Sequence, residues 1–99
     1  MRLWEIAHSR SGDKGDTSNI SVIAFDPNDY PLMVERLTAE RVASHFAKIA
    51  TGPVQRYELP NIGALNFVLE GVLAGGVTRA LTLDTHGKSL SSLMLDLEI

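Results

Sequence analysis

The sequence contains no cysteine. This absence excludes disulfide bonds, thiolate metal ligands and cysteine nucleophiles within the chain. It also has no apolar run near the about 18 residues that a membrane-spanning helix needs. The N-terminal residues 1–8 are too few and too charged for the apolar part of a secretory signal. We therefore expect a protein that works in the cytoplasm without contacting a membrane.

The sequence also lacks a large excess of positive or negative charge. The formal net charge is −3, so the chain lacks the basic footprint of a nucleic-acid-binding protein. The residues are 44% hydrophobic and 21% charged, close to the globular average, which predicts a folded chain rather than a disordered one. A length of 99 residues accommodates one hydrophobic core, so residues 1–99 are expected to form a single domain.

Patterns typical of strands recur along the chain. Alternating or β-branched apolar residues predict strands over residues 2–8, residues 20–25, Val54–Leu59, residues 77–83 and residues 93–99. The last two strands would form a hairpin. With these strands, core positions are expected to include Trp4, Ile20, Val22, Leu65, Leu69, Leu95 and Leu97.

Helical spacing occurs in two regions. Apolar residues recur at helical intervals over residues 31–50, and Thr38 is placed to cap a second helix, so two short helices would meet at Leu37 and Thr38. Residues 65–73 carry the stripe of an amphipathic helix, although their β-branched and aromatic content leaves a strand open. The resulting order, β-β-α-β-α-β-β, predicts a two-layer α+β sandwich. Its sheet would be mixed or antiparallel, of about five strands, with helices on one face.

A polar segment that begins at Ser9 and ends at Asn19 is the most unusual part of the chain, and its composition predicts a long loop. Its glycines allow backbone N–H groups to converge on an anion, with Arg10 and Lys14 complementing a carboxylate or phosphate. Alternatively, its aspartates could bind a divalent cation. The structural alternative is a solvated connection in which Asp and Ser side chains cap backbone groups.

Other polar residues carry similar pairs of interpretations. His8 could act as a general base oriented by a nearby aspartate, or simply be hydrogen-bonded. Asn61 and Asn66 could tie loops together or bind a ligand, and Arg79 could contact an anion or begin a strand. The candidate ligand- or partner-binding residues are His8, Arg10, Ser11, Gly12, Asp13, Lys14, Gly15, Asp16, Asn19, Asn61, Asn66 and Arg79.

No reaction follows from these residues. The three histidines share no metal-ligand spacing, so a structural zinc site is not expected, and no cofactor is indicated. The sequence also lacks the nucleophile elbow of serine hydrolases. We therefore assign no catalytic residue.

The polar segment also supports a family resemblance. Residues 7–16, A-H-S-R-S-G-D-K-G-D, followed by Asn19 and Ile20, resemble the A-R-S-G-D-K-G-[DN]…N-I segment of AtuA-like (acyclic terpene utilisation) proteins. Later blocks also resemble that family: Y-E-L-P-N at 57–61, A-L-N-F-V-L at 64–69, G-G-V-T-R at 75–79, and Asp84 with H-G-K at 86–88. The resemblance covers nearly the whole chain.

The resemblance implies a ferredoxin-like domain that is often attached to a much larger domain. It also implies a separately encoded large partner and a place in the catabolism of branched acyl-CoA thioesters. Our first hypothesis is an accessory subunit that docks on an AtuA-like large chain and completes its site with residues 9–19. The rivals are a free-standing enzyme or binding protein for a small carboxylate or acyl-CoA, and a homo-oligomeric scaffold. Self-association is expected because a small sheet leaves free edges and an exposed apolar face.

Overall fold

A computed structural model describes residues 1–14, 17–72 and 90–99, with residues 13 and 14 described at the backbone. Within these ranges the strands are β1 (Ala7–Lys14), β2 (Thr17–Ala24), β3 (Val54–Leu59) and β4 (Ala64–Leu69). The α-helices are α1 (Tyr30–Arg36), α2 (Ala39–His45) and α3 (Leu90–Leu95). Short 3-10 turns occur at Leu3–Glu5, Pro27–Asp29 and Pro60–Ile62.

The four described strands form one antiparallel sheet in the order β1-β2-β4-β3. The predicted α+β class is confirmed, with four strands in the described residues rather than about five. The predicted strand over residues 77–83 lies outside the described residues. Among the described strands, β1 and β3 lie at the two edges of the sheet.

Strand alternation gives the sheet a core face and an open face. On the core face, Ile20 pairs with Phe67 and Val22 pairs with Leu65, and all four side chains have no solvent exposure. The helices supply further core residues, namely Met33, Leu37, Val42, Phe46, Leu90 and Met94. Since these residues form one cluster with the strands, the helices cover this face. We call the helices, together with residues 46–49 that follow α2, the helical layer. The open face lies opposite.

The region of residues 31–50 divides into two helices, as predicted. The backbone of Leu37 leaves the helical conformation, with φ −95° and ψ 75°, and ends α1. Thr38 then caps α2, because its Oγ1 accepts a hydrogen bond from the Arg41 N–H at 3.1 Å. From β3, the Arg56 guanidinium donates to the carbonyl oxygens of Val34 (2.8 Å) and Leu37 (3.1 Å). These bonds satisfy carbonyls that the end of α1 would leave without partners.

The prediction of a strand over residues 2–8 is wrong at its beginning. Leu3–Glu5 form a 3-10 turn, closed by a hydrogen bond from the Ile6 N–H to the Leu3 carbonyl, and β1 starts only at Ala7. In such a turn neighbouring side chains no longer alternate between two faces. Leu3 therefore fills the core, while Trp4, which we predicted to be buried, is 55% exposed.

The helix favoured for residues 65–73 is also wrong over its described part, and the strand left open is the one observed. β4 buries Leu65, Phe67 and Leu69, which alternate with the half-buried Asn66 and Val68. A separation of four residues puts two side chains on one face of either a helix or a strand. The pair Leu65 and Leu69 therefore fitted both patterns.

The C-terminal strand predicted over residues 93–99 is replaced by α3 and a short extension. Leu90 and Met94 are buried at helical spacing, whereas Leu95 is only half-buried. Beyond α3 the chain pairs with the N-terminal segment: the Leu3 N–H donates to the Leu97 carbonyl, and the Ile99 N–H donates to the Met1 carbonyl, both at 2.9 Å. The predicted burial of Leu97 is confirmed.

Candidate functional site

Within the segment 9–19, which we predicted as a loop, residues 9–14 and 17–19 lie in the paired strands β1 and β2 instead. Each residue from Ala7 to Lys14 pairs with a residue of β2, beginning with Ala7 opposite Ala24 and ending with Lys14 opposite Thr17. The composition was misleading because β1 is an edge strand of small and polar residues. Such a strand needs only one neighbouring strand and little apolar surface.

Pairing in a hairpin sorts the candidate residues between the two faces of the sheet. His8, Arg10 and Gly12 share the open face with their partners Ile23, Ser21 and Asn19. Ser9 and Ser11 point to the other side, opposite the core residues Val22 and Ile20. Alternation therefore separates Ser11 from Arg10, although the two are neighbours in the sequence.

A row of hydrogen-bonding side chains crosses the middle of the open face. The register places Arg10, Ser21, Asn66 and Tyr57 on four successive strands. Within the row, Asn66 Nδ2 donates to Ser21 Oγ at 2.8 Å. The Tyr57 hydroxyl donates to Gln55 Oε1 at 2.7 Å, and Gln55 belongs to the adjacent row. Each side chain keeps further capacity to donate or accept, so the row can bind polar groups from outside the domain.

That adjacent row contains Gly12, Asn19, Val68 and Gln55. A methyl group placed on Gly12 would lie 3.6 Å from Asn19 Nδ2, an ordinary contact distance. The glycine is therefore not required by crowding, and its effect is to leave the exposed Asn19 side chain uncovered. Asn19 adds a further amide to the polar surface beside Arg10.

Exposed apolar residues lie at the end of the sheet where β2 and β3 finish. Phe25 is 63% exposed, Ile62 is 64% exposed and Leu59 is 39% exposed, and we call these three residues the apolar end. A hydrogen bond from the Ala24 N–H to the Gly63 carbonyl (3.0 Å) holds the ends of β2 and β4 together there. His8 stacks on the ring of Phe25, with centroids 5.4 Å apart and planes 21° apart. His8 therefore joins the apolar end to the polar row.

The only charged side chain described in the polar row and in the adjacent row is Arg10. Arg10 is exposed, while its neighbours in both rows are amides, hydroxyls and apolar groups. No ion pair links Arg10 to another residue in the described part of the chain. A molecule that covered the face would therefore meet an uncompensated cation.

The remaining predicted site residues do not join this row. Asn61 is exposed within the Pro60–Ile62 turn beside the apolar end. The backbones of Asp13 and Lys14 pair with Ser18 and Thr17. Gly15, Asp16 and Arg79 lie outside the described residues. The prediction that an aspartate orients His8 is therefore not tested, because neither aspartate side chain of this segment is described.

The sequence reasoning missed Ser21, Gln55, Tyr57, Phe25 and Ile62. Ser21 was passed over because it lies within a strongly apolar run, and Tyr57 because Val54–Leu59 was interpreted only as a strand. Alternation along β2 and β3 did mark both as outward-facing. Their approach to Arg10 and Asn66 depends on strand order, which short-range patterns do not encode.

A groove lies among the helices, away from the open face. It has a volume of about 400 Å³ and is bordered by the end of α2, by residues 46–49 and by Leu93 of α3. Its histidine, His45, has Nε2 2.7 Å from the Leu93 carbonyl oxygen. Because a carbonyl can only accept, the ring donates this bond, and His45 thus links the two helices. We assign it a structural role.

Metal sites and membrane-spanning helices are two further classes of feature. No group of three or more histidine, cysteine, aspartate or glutamate side chains in this part of the chain is placed to hold a metal ion. Among the helices described, none has the length and apolar character needed to cross a membrane.

Comparison with known proteins adds the family. A search of curated proteins and a search of solved structures gave no match to the chain. The family model of the AtuA ferredoxin-like domain matches residues 1–99, its full length. The four-stranded antiparallel sheet with a helical layer on one face agrees with that description. The chain therefore belongs to the AtuA ferredoxin-like domain family.

Proposed function

We propose that this domain is an accessory binding module that docks on a large AtuA-like chain through the open face of its sheet. The large chain would supply the chemistry, and this domain would complete or stabilise the large chain's site. The family resemblance suggests a cytoplasmic pathway that degrades branched, terpenoid acyl-CoA thioesters.

The observation that carries the proposal is the composition of the open face. Exposed apolar groups rimmed by polar ones are typical of protein interaction surfaces. Here Phe25, Leu59 and Ile62 form the apolar part, and the row from Arg10 to Tyr57 forms the polar part. Aromatic and arginine side chains, both present here, contribute strongly to protein interfaces.

A free-standing binding protein for a small carboxylate or acyl-CoA is the rival proposal. Small-molecule sites are concave and bury most of their ligand. On the open face Arg10, Asn19 and Tyr57 are instead exposed, Tyr57 at 50%, although Ser21 and Asn66 between them are half-buried, and all of them stand on the surface of a sheet. This exposure favours a protein partner over a small ligand.

A second copy of the chain is a further proposed partner. β3 is an edge strand on which Tyr57 and Leu59 are exposed, and free edges can pair with another strand. Self-association could coexist with docking if it uses an edge rather than the open face.

The test is a binding measurement with a purified AtuA-like large chain from the same genome. Phe25→Ser combined with Ile62→Ser should weaken binding by about tenfold or more, because both side chains would lose apolar contact. Both residues are exposed, so the melting temperature should change little. Lys48→Ser, an exposed substitution on the helical layer, is the matched control and should leave binding unchanged. Absence of binding by the unmodified domain would contradict the proposal.

A further inference from the structure

We infer that Arg10 and Ser21 form a carboxylate-recognition pair, held in position by Asn66, that takes an aspartate or glutamate side chain of the docked chain. The inference rests on the proposed function, because the acidic group is assigned to the large chain. It adds a defined chemical feature that the partner surface must present.

The first step is the placement of the two donors. Arg10 and Ser21 are register partners on β1 and β2, and both belong to the open face. Directly opposed residues of an antiparallel pair have Cα atoms about 4.5–5.5 Å apart. A guanidinium carries five N–H donors and no acceptor, and its planar fork fits the two oxygens of a carboxylate. One carboxylate can therefore contact both side chains.

The second step is the state of the Ser21 hydroxyl. Asn66 Nδ2 donates to Ser21 Oγ at 2.8 Å, so the hydroxyl acts as an acceptor toward β4. Its single proton remains to donate outward, and an accepted bond strengthens the bond that the same group donates. Asn66 thus acts as a positioning residue, since the bond that it donates fixes the Ser21 oxygen as an acceptor toward β4 and leaves the hydroxyl proton for another partner.

The third step is charge. Arg10 is exposed, and within the described part of the chain it has neither an ion pair nor a hydrogen bond from its side chain. The row of Arg10 and the two rows beside it contain no described acidic side chain, so one anionic group from outside would balance the charge of Arg10. A carboxylate brings one negative charge, and its plane matches the planar fork of the guanidinium. A phosphate would bring more negative charge than one cation offsets.

The change in affinity that an ion pair with Arg10 can produce distinguishes a free carboxylate from one carried by a protein. An exposed ion pair changes affinity by about fivefold at most, which is too little to hold a small carboxylate. When a protein covers the pair and excludes water, loss of one member changes affinity by about 30-fold or more. The contacts of the apolar end would supply that cover.

The experiment measures the affinity of the purified large chain for four versions of the domain: unmodified, Arg10→Glu, Ser21→Ala and Lys48→Glu. We expect Arg10→Glu to bind at least about 30-fold more weakly and Ser21→Ala about three- to tenfold more weakly. Lys48→Glu makes the same change of charge on the helical layer and should bind within about twofold of the unmodified domain. Thermal melting confirms that each variant is folded.

The outcomes separate the two proposals. If the unmodified domain does not bind the large chain, both proposals fail. If it binds and Arg10→Glu binds within about threefold, docking stands and the carboxylate pair is overturned. An NMR titration of the isolated domain with acetate and with succinate tests whether a small carboxylate binds without a partner protein. Weak, non-saturating shifts at Arg10 are expected at millimolar acid, whereas saturable binding below that range would overturn the assignment to a protein side chain.

Discussion

Ser9 and Arg10 are neighbours in the sequence with opposite surroundings. Arg10 is exposed on the open face, while Ser9 faces the core side and its Oγ is buried without a hydrogen-bond partner in the described part of the chain. A buried hydroxyl that makes no hydrogen bond is destabilising by about 1–3 kcal/mol relative to one that does. Position along the strand therefore decides which polar residues of this segment can serve binding.

Ser9→Ala should raise the free energy of unfolding by about 1 kcal/mol, because it removes the unpaired hydroxyl and keeps the volume nearly constant. Urea denaturation measures the change. Binding of the large chain should be unaffected. A loss of stability would show that the Ser9 hydroxyl has a partner that the described residues do not supply.

Two glycines should respond in opposite ways to replacement by alanine. At Gly52 the new methyl group would lie 2.7 Å from the Glu70 carbonyl oxygen, a backbone atom that cannot easily move. Gly52→Ala should therefore destabilise the fold by about 1–3 kcal/mol. Gly12→Ala meets only an ordinary contact with Asn19, and should be neutral or stabilising by up to about 1 kcal/mol. Equal melting temperatures for the two variants would contradict this close approach of the chain at Gly52.

At the scale of elements, local signals predicted what local interactions determine. The break at Leu37, the cap at Thr38 and the strand Val54–Leu59 were all correctly predicted, because each depends on residues a few positions apart. The continuation of β1 beyond His8 was missed because this strand is stabilised by its pairing with the buried strand β2. Its own composition does not indicate a strand. The C-terminal residues alternate in the sequence, yet helical packing of Leu90 and Met94 on the core prevails.

The candidate site follows the same division. Arg10, Asn19 and Asn66 were identified from their residue types, but their gathering on one face required the register of three strands. The apolar end was not identified at all. Phe25 lies far from Leu59 and Ile62 in the sequence, and nothing local distinguishes an exposed apolar residue from a buried one.

The α3 helix provides a test of the corrected C-terminal structure. Met94 has no solvent exposure, so Met94→Ala should destabilise the fold by about 2–5 kcal/mol. Leu95 is half-buried, and Leu95→Ala should cost less than about 2 kcal/mol. Denaturant unfolding of both variants decides the matter. A larger effect at Leu95 than at Met94 would favour the strand that the sequence first indicated.

At the scale of the whole molecule, the helical layer covers one face of the sheet, and part of the other face is exposed among the described residues. The helical layer satisfies the core face, and the open face retains both apolar and polar groups that neighbouring molecules can contact. The edges β1 and β3 offer a second means of association. In the described part of the chain, the candidate binding groups therefore lie on the surface of the sheet and at its edges.

Self-association is the prediction that belongs to the free edges. We expect sedimentation velocity at micromolar concentration to show a dimer or larger assembly. Tyr57→Lys, on the edge strand β3, should shift the distribution toward monomer, because charge on an edge strand opposes pairing. Lys48→Ser should have no effect. A monomer throughout the micromolar range would contradict the prediction.

The central claim is that the open face is the functional face, and an NMR footprint of the complex tests it most directly. The account predicts that the purified large chain perturbs the signals of Arg10, Ser21, Asn66, Tyr57 and Phe25. Signals of Arg41, Ser44 and Lys48 on the helical layer should keep their positions, apart from uniform broadening. Perturbation concentrated on the helical layer, with the open face unchanged, would contradict the account.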